Sequence, residues 1–283
     1  MRFPWQKKIN GSFISDTAAT ISCNIYGLSE TGPLRDSNED NILYFCPGKS
    51  REVWFAMVAD GMGGHNAGEV ASDIACESAK EYVEREYSRQ DAKKMLKALV
   101  EVMHHNIRSA AANNPACHGM GTTSTAIFIN GNSLSWAHVG DSRLYRFSND
   151  ELVQCTTDQT LVNQMIKEGK LNPAEAGNHD MKHVLLQALG TADRVDPQIC
   201  GPLPVHPGDY YFLCSDGIYD MLSNSELALL FSMRRPALVM ECIKALCYER
   251  AARDNFSALL IEVSAGEETT GNGGVTKEQN IML

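Results

Sequence analysis

The sequence predicts an α/β (α+β) sandwich with β-sheets inside and helices outside. Three observations carry that expectation. Short strand-like segments come in consecutive antiparallel-looking groups, pairs of helical segments interrupt them, and residues 53–59 (VWFAMVA) are apolar at every position, as in a strand buried on both faces. Taken in order, residues 1–20 are a polar lead-in. The strand at 53–59 leads to two long helices, at 68–87 and 91–113; in the second, Met95, Leu96, Leu99, Val102 and Met103 recur at helical spacing. Strands follow at 123–129 and 133–139, joined by a turn at Asn130-Gly131-Asn132, and at 143–147. Shorter helices are expected at 161–168 and 182–189, and an apolar strand at 210–214. Good capping residues open a helix at 223–231, Pro236 opens another that runs to about 251, and 257–263 is a closing strand. Residues 156–193, with Gly169, Pro173 and Gly177, are irregular and polar and read as a flap. From 265 the chain is a polar, flexible tail. There is no internal repeat.

Composition narrows the function classes. With 43% hydrophobic and 21% charged residues in 283, the chain has enough apolar material for a sizeable core. A net charge of −10 argues against nucleic acid or an anionic membrane as partner. No stretch has the length of a membrane span or a signal peptide, so a soluble cytoplasmic protein is the expectation; a monomer is expected. The nine cysteines include no C-x-x-C pair and read as buried thiols in a reducing compartment.

Four segments each place an aspartate at the edge of an apolar run: ADGMGG (Asp60), HVGDSR (Asp141), CSDG (Asp216) and RDNF (Asp254). Gathered at one sheet end, such carboxylates repel strongly unless cations neutralise them. All-oxygen donors select hard cations, Mg²⁺ or Mn²⁺. The pattern therefore points to a multi-metal hydrolytic site. Gly61, Gly63 and Gly64 suit a close backbone approach, but Asn66 stands where a dinucleotide fingerprint needs its third glycine. Arg35, ahead of Glu39 and Asp40, fits either a surface ion pair or bidentate binding of a phosphate. Gly119 to Thr123 read as a tight turn into a core strand rather than as nucleophiles. His104, His105 and His118 form no metal-ligand pattern.

In their order along the chain, RDSNED, ADGMGG, GMGTTS, VGDSRLY, DQTLV, LCSDG and RDNFS resemble the metal-dependent serine/threonine protein phosphatases (PPM, type 2C), in their bacterial form. The resemblance covers roughly residues 24–263 and marks 21–264 as the phosphatase domain. It implies two antiparallel β-sheets packed face to face, flanked by helices on both sides. It implies that Asp60 bridges two Mn²⁺ or Mg²⁺ ions, that the Gly61 carbonyl binds the first, and that Asp216 and Asp254 bind the second. Glu39 and Asp40 would hold metal-bound waters. Asp141 would serve a third, weaker ion, sharing Asp216, with Asp158 reaching it from the flap. Arg35 would bind the substrate phosphate. Two ions about 3.5–4 Å apart would then share a water that attacks phosphorus, with no protein nucleophile. The implied substrates are proteins phosphorylated by a Ser/Thr kinase.

The sequence departs from that family in two places. Met62 stands where many members carry a histidine proposed to protonate the leaving group, and a thioether donates no proton. His65, three residues on, is a weaker candidate. Gln159 stands where many members carry the histidine of an Asp-His-Ser/Thr run. A catalytically dead scaffold is the opposing function class, but it would lack a metal carboxylate, and Asp60, Asp216 and Asp254 are all present.

Overall fold

The structure, a computed structural model, describes residues 21–48, 52–63 and 67–266. The lead-in, His65 and the tail beyond residue 266 lie outside the described residues. The elements are β1 (Ile21–Glu30), β2 (Asp40–Phe45), β3 (Val53–Met62), α1 (Ala67–Glu86), α2 (Ala92–Asn113), β4 (Gly121–Thr122), β5 (Ser124–Asn130), β6 (Ser133–Val139), β7 (Arg143–Ser148), β8 (Glu151–Gln154), α3 (Leu161–Lys167), β9 (Gln198–Pro204), β10 (Tyr210–Cys214), α4 (Asp216–Tyr219), α5 (Asn224–Ser232), α6 (Pro236–Glu249) and β11 (Phe256–Ala265). One sheet has the order β1-β11-β10-β7-β8. The other runs β2-β3-β5-β6-β9, with β4 paired to β3. All pairings are antiparallel.

Three apolar clusters define four layers. Trp54, Ala56 and Val58 of β3 point inward with Ile127, Trp136, Leu213, Leu259 and Ile261, filling the space between the sheets. Val53, Phe55, Met57 and Ala59 point the other way, onto α1 and α2. The unbroken apolar run of β3 is thus two alternating faces, each buried against a different layer. On the far side, Phe212, Phe256 and Leu260 pack on α4, α5 and α6 through Ile218, Phe231 and Ile243.

Local chemistry sets the element ends. Asp91 caps α2 by accepting from the backbone of Lys93 and Lys94. Ser223 and Glu226 form a reciprocal capping box on α5. Gly131, at φ +51°, turns the β5–β6 hairpin.

The helix expected at 182–189 is not there. Its backbone serves its neighbours instead: Leu186 N donates to Gln159 O at 2.8 Å and Leu189 N to Thr122 O at 2.9 Å, with Leu185 bridged to Thr160. The rest of the flap segment holds α3 and a short 3₁₀ turn, Pro173–Asn178. The strands β1, β2, β4, β8 and β9 were not foreseen either.

Candidate active site at the ends of the two sheets

Antiparallel pairing brings the end of β3, the start of β2, the β6–β7 loop, the end of β10 and the start of β11 to one end of the sandwich. Asp60 lies near the end of β3, opposite Asp40 across the β2–β3 ladder. Asp141 sits in the β6–β7 loop, Asp216 opens α4 and Asp254 precedes β11. Two carboxylates as direct cross-strand partners are unfavourable unless something compensates.

The charges register each other. Burial pushes the Asp60 carboxyl well above its usual range, and Asp40, Asp216, Asp141 and Asp254 push it further. Burial raises Asp40 to about 7; Asp216 and Asp254 add to this, while hydrogen bonds from Ser215 and Ser257 oppose it. Asp141 rises to about 8 through burial and then Asp216 and Asp158, against the pull of His183 and Arg143. Asp254 is raised by burial and Asp216. Glu39 is raised by burial, with Arg35 opposing. Each of these groups holds its proton more tightly than an ordinary surface carboxylate, first because it is buried and then because other acids crowd it, and the cations at the rim do not fully offset this.

Uncharged groups position the cluster. Asp60 N donates to Thr123 Oγ1 at 2.9 Å, and Asp60 O accepts from Thr122 Oγ1 at 2.9 Å and from Thr123 N at 2.8 Å. Thr123 Oγ1 lies 2.7 Å from Ser142 Oγ, beside Asp141. Ser215 Oγ donates to Asp40 Oδ2 at 2.7 Å, joining the two sheets. Gln159 braces the Asp141 loop: its Oε1 accepts from Gly140 N at 2.8 Å and its N donates to Gly140 O at 2.7 Å. No side chain fits at Gly61, where an added Cβ would lie 2.2 Å from Gly68 O and 2.5 Å from Glu39 O.

Among the described residues, no three acidic, histidine or cysteine side chains already close around a point as a finished cage. The donors nevertheless suit hard cations. They are oxygens, they repel one another, and no hydrogen bond reaches the Asp60 carboxylate from the described residues.

The structure also shows where the other expected residues sit. Arg35 donates to Asp254 Oδ2 at 2.6 Å and to Arg253 O at 3.3 Å, at the rim of the cluster. Asp158 is buried, and both its oxygens accept from Arg143, at 2.7 and 3.1 Å; Gln154 adds a bond at 2.9 Å. Its carboxylate therefore serves Arg143, whose guanidinium also stacks on Tyr219 at 3.5 Å. In the flap, His183 Nδ1 lies 3.3 Å from Asp216 Oδ2, and Lys182 Nζ lies 2.8 Å from Asp220 Oδ2. A cleft of about 140 Å³ opens between Lys182, His183, Asp216, Arg253 and Asp254. Thr122, Thr123, Ser142, Ser215, Asn255 and His183 were not singled out from sequence for this site. Thr122 and Thr123 lie in a stretch read as a tight turn, and its only other signal was GMGTTS as one segment of the family resemblance.

Comparisons with known proteins agree with this architecture. A family model for protein phosphatase 2C matches residues 35–245. Protein phosphatase PhpP of Streptococcus pneumoniae is 33% identical over 202 residues, 71% of this chain and 80% of that one. Serine/threonine protein phosphatase PstP of Mycobacterium tuberculosis is 32% identical over 235 residues, 83% of this chain and 44% of that one. The crystal structure of the latter superposes with a TM-score of 0.77 at 30% identity, covering 86% of this chain and 99% of that chain. The PstP catalytic domain has also been solved in complex with two manganese ions (TM-score 0.74, 30% identity, 87% of this chain and 100% of that one). The Stp1 phosphatase of Staphylococcus aureus superposes at 0.78 with 27% identity over 90% of this chain and 99% of its own. The chain belongs to the protein phosphatase 2C family, and its two antiparallel sheets between helical layers are the fold of those enzymes.

Proposed function

We propose that the protein hydrolyses phosphoserine and phosphothreonine in proteins, reversing the work of a Ser/Thr kinase, with Mn²⁺ or Mg²⁺ held by its carboxylate cluster. The observation that carries this reading is the gathering of Asp40, Asp141, Asp216 and Asp254 around Asp60 at one end of the sandwich, where Asp40, Asp60 and Asp141 are pushed above their usual range by burial and by neighbouring acids. Asp60, the Gly61 carbonyl, Asp216 and Asp254 would hold two ions, with Glu39 and Asp40 behind them; Asp141 would serve a third. Ions bound there supply charge neutralisation and activate the attacking water.

The chain's own residues do the rest. Arg35, beside Asp254 at the rim, offers its planar fork to the phosphoryl oxygens. The hydroxyls of Thr122, Thr123 and Ser215 are buried and hydrogen-bonded, so they serve as supports rather than nucleophiles. Asp158 is assigned to Arg143 in preference to an ion. Residues 21–264 form the catalytic domain. Five of the nine cysteines, Cys76, Cys117, Cys155, Cys214 and Cys247, are buried thiols, whereas Cys46 is exposed and the other three are half-buried; the buried thiols support a cytoplasmic site of action, and no helix among the described residues is long and apolar enough to cross a membrane.

The test is phosphate release from a phosphothreonine peptide with and without Mn²⁺, beside an Asp60→Asn variant. Metal-dependent release that the variant lacks is expected. Absence of release from folded protein with any divalent metal would point to a binding scaffold.

A further inference from the structure

Asn255 follows the candidate ligand Asp254. It is 4% exposed, and its amide is fully committed. Its Oδ1 accepts from Glu39 N at 2.9 Å, and its Nδ2 donates to Thr31 O and to Ser37 O, both at 2.8 Å. All three contacts are backbone groups of one segment, residues 31–39, which carries Arg35 and Glu39. That segment lies between β1 and β2 and has no ladder of its own; Asn38 bonds back to Ser29 Oγ and Glu39 O accepts from Gly61 N and Ser72 Oγ, while the Asn255 side chain ties together Thr31, Ser37 and Glu39, on both sides of Arg35. The tether is close-fitting on two sides. A Cβ at Gly32, which sits at φ +78°, would lie 2.7 Å from Asp254 O, and one at Gly217 would lie 2.0 Å from Asn255 O. Asn255 N meanwhile donates to Asp254 Oδ1 at 2.8 Å, while Arg35 holds Oδ2.

We propose that Asn255 is a positioning residue for substrate phosphate: its side chain fixes residues 31–39 so that Arg35 is held against the cluster. The proposal rests on the reading of Arg35 as the phosphate-binding residue. The geometry separates two functions of neighbouring residues. The Asp254 carboxylate is bound by the Asn255 backbone N–H, which survives any substitution but proline. The loop is bound by the side-chain amide, which does not survive. Removing the amide should therefore misplace Arg35 while leaving Asp60, Asp216 and Asp254 in register; Glu39, behind them, keeps the bonds its carbonyl accepts from Gly61 N at 3.1 Å and Ser72 Oγ at 2.7 Å. Aspartate at this position keeps the size and one acceptor but turns both donors into an acceptor facing Thr31 O and Ser37 O, so it should act like alanine.

The experiment is steady-state hydrolysis of p-nitrophenyl phosphate under saturating Mn²⁺ by wild type, Arg35→Ala, Asn255→Ala, Asn255→Asp and the Arg35→Ala/Asn255→Ala double variant. Calorimetric Mn²⁺ titration of each accompanies it. Expected are a rise in KM of about tenfold or more for each single variant, Mn²⁺ affinity within about twofold of wild type, and a double variant no worse than Arg35→Ala, since small misplacements of a binding group are costly. Gly32→Ala, which leaves Asn255 intact and pushes the loop from the other side, should reproduce the KM effect; it decides the matter if the Asn255 variants do not fold. Wild-type KM in the Asn255 or Gly32 variants, multiplicative effects in the double variant, or Mn²⁺ affinity falling in step with KM would overturn the proposal. Wild-type KM in Arg35→Ala would instead overturn the role of Arg35.

Discussion

The Asp60 carboxylate owes its position to neighbours that carry no charge. Thr123 accepts from its backbone N–H and Thr122 donates to its carbonyl, so the residue is held at both ends of its peptide frame while the side chain stays open to the cluster. Thr123→Val keeps the shape and deletes the hydroxyl, leaving the Asp60 N–H without that acceptor in a buried setting. An unpaired buried donor costs about 1–3 kcal/mol. Denaturant unfolding should show a loss of that size, and Mn²⁺ titration a weaker first ion; unchanged stability and affinity would mean that water replaces the hydroxyl. The same residues mark where reading from sequence stops. Asp60, Asp141, Asp216 and Asp254 stood out because a charge at the end of an apolar run is improbable without a task. A threonine at the start of a strand is ordinary, and Thr122, Thr123 and Ser142 acquire their meaning only once β3 and the β6–β7 loop come together.

Elements divide in the same way. The expected strands that formed, β3, β5, β6, β7, β10 and β11, are the interior strands of the two sheets. Those not foreseen are the four edges, β1, β2, β8 and β9, and the two-residue β4 paired to β3. An edge strand buries less and carries more polar residues, so its apolar alternation fades; the half-buried pattern of β2 and β8 shows it. The stretch 182–189 errs in the opposite direction, because its spaced leucines imitate a helix while their backbone bonds go to Gln159 and Thr122. Asp158 ties this flap segment to β7 through Arg143, and the pair is mostly buried. Breaking such a pair by removing one charge costs about 3 kcal/mol. Asp158→Asn should therefore lower the melting temperature of metal-free protein, and by the same amount when Mn²⁺ is present. A loss seen only with Mn²⁺ would instead make Asp158 an ion ligand.

At the scale of the molecule, the acid cluster couples folding to pH. Asp40 and Asp141 have folded pKa values of about 7 and about 8, above their ordinary value of 3.8. A group whose pKa is raised on folding stabilises the fold while protonated. That contribution is complete below about pH 4 and is lost as pH rises through 7 and 8. His138 acts the other way: fully buried and lowered to about 4, it costs stability as pH falls below 6.5 toward 4. Above 6.5 it is silent, so the cluster dominates from there upward. Melting curves in EDTA should accordingly fall in temperature between pH 6.5 and 8.5. Cations replace the lost protons, so the rise in melting temperature on adding Mn²⁺ should grow across the same interval, since ion affinity increases as its ligands deprotonate. A flat EDTA profile with a pH-independent Mn²⁺ shift would mean that the aspartates sit too far apart to feel one another, and the multi-ion site would lose its physical basis.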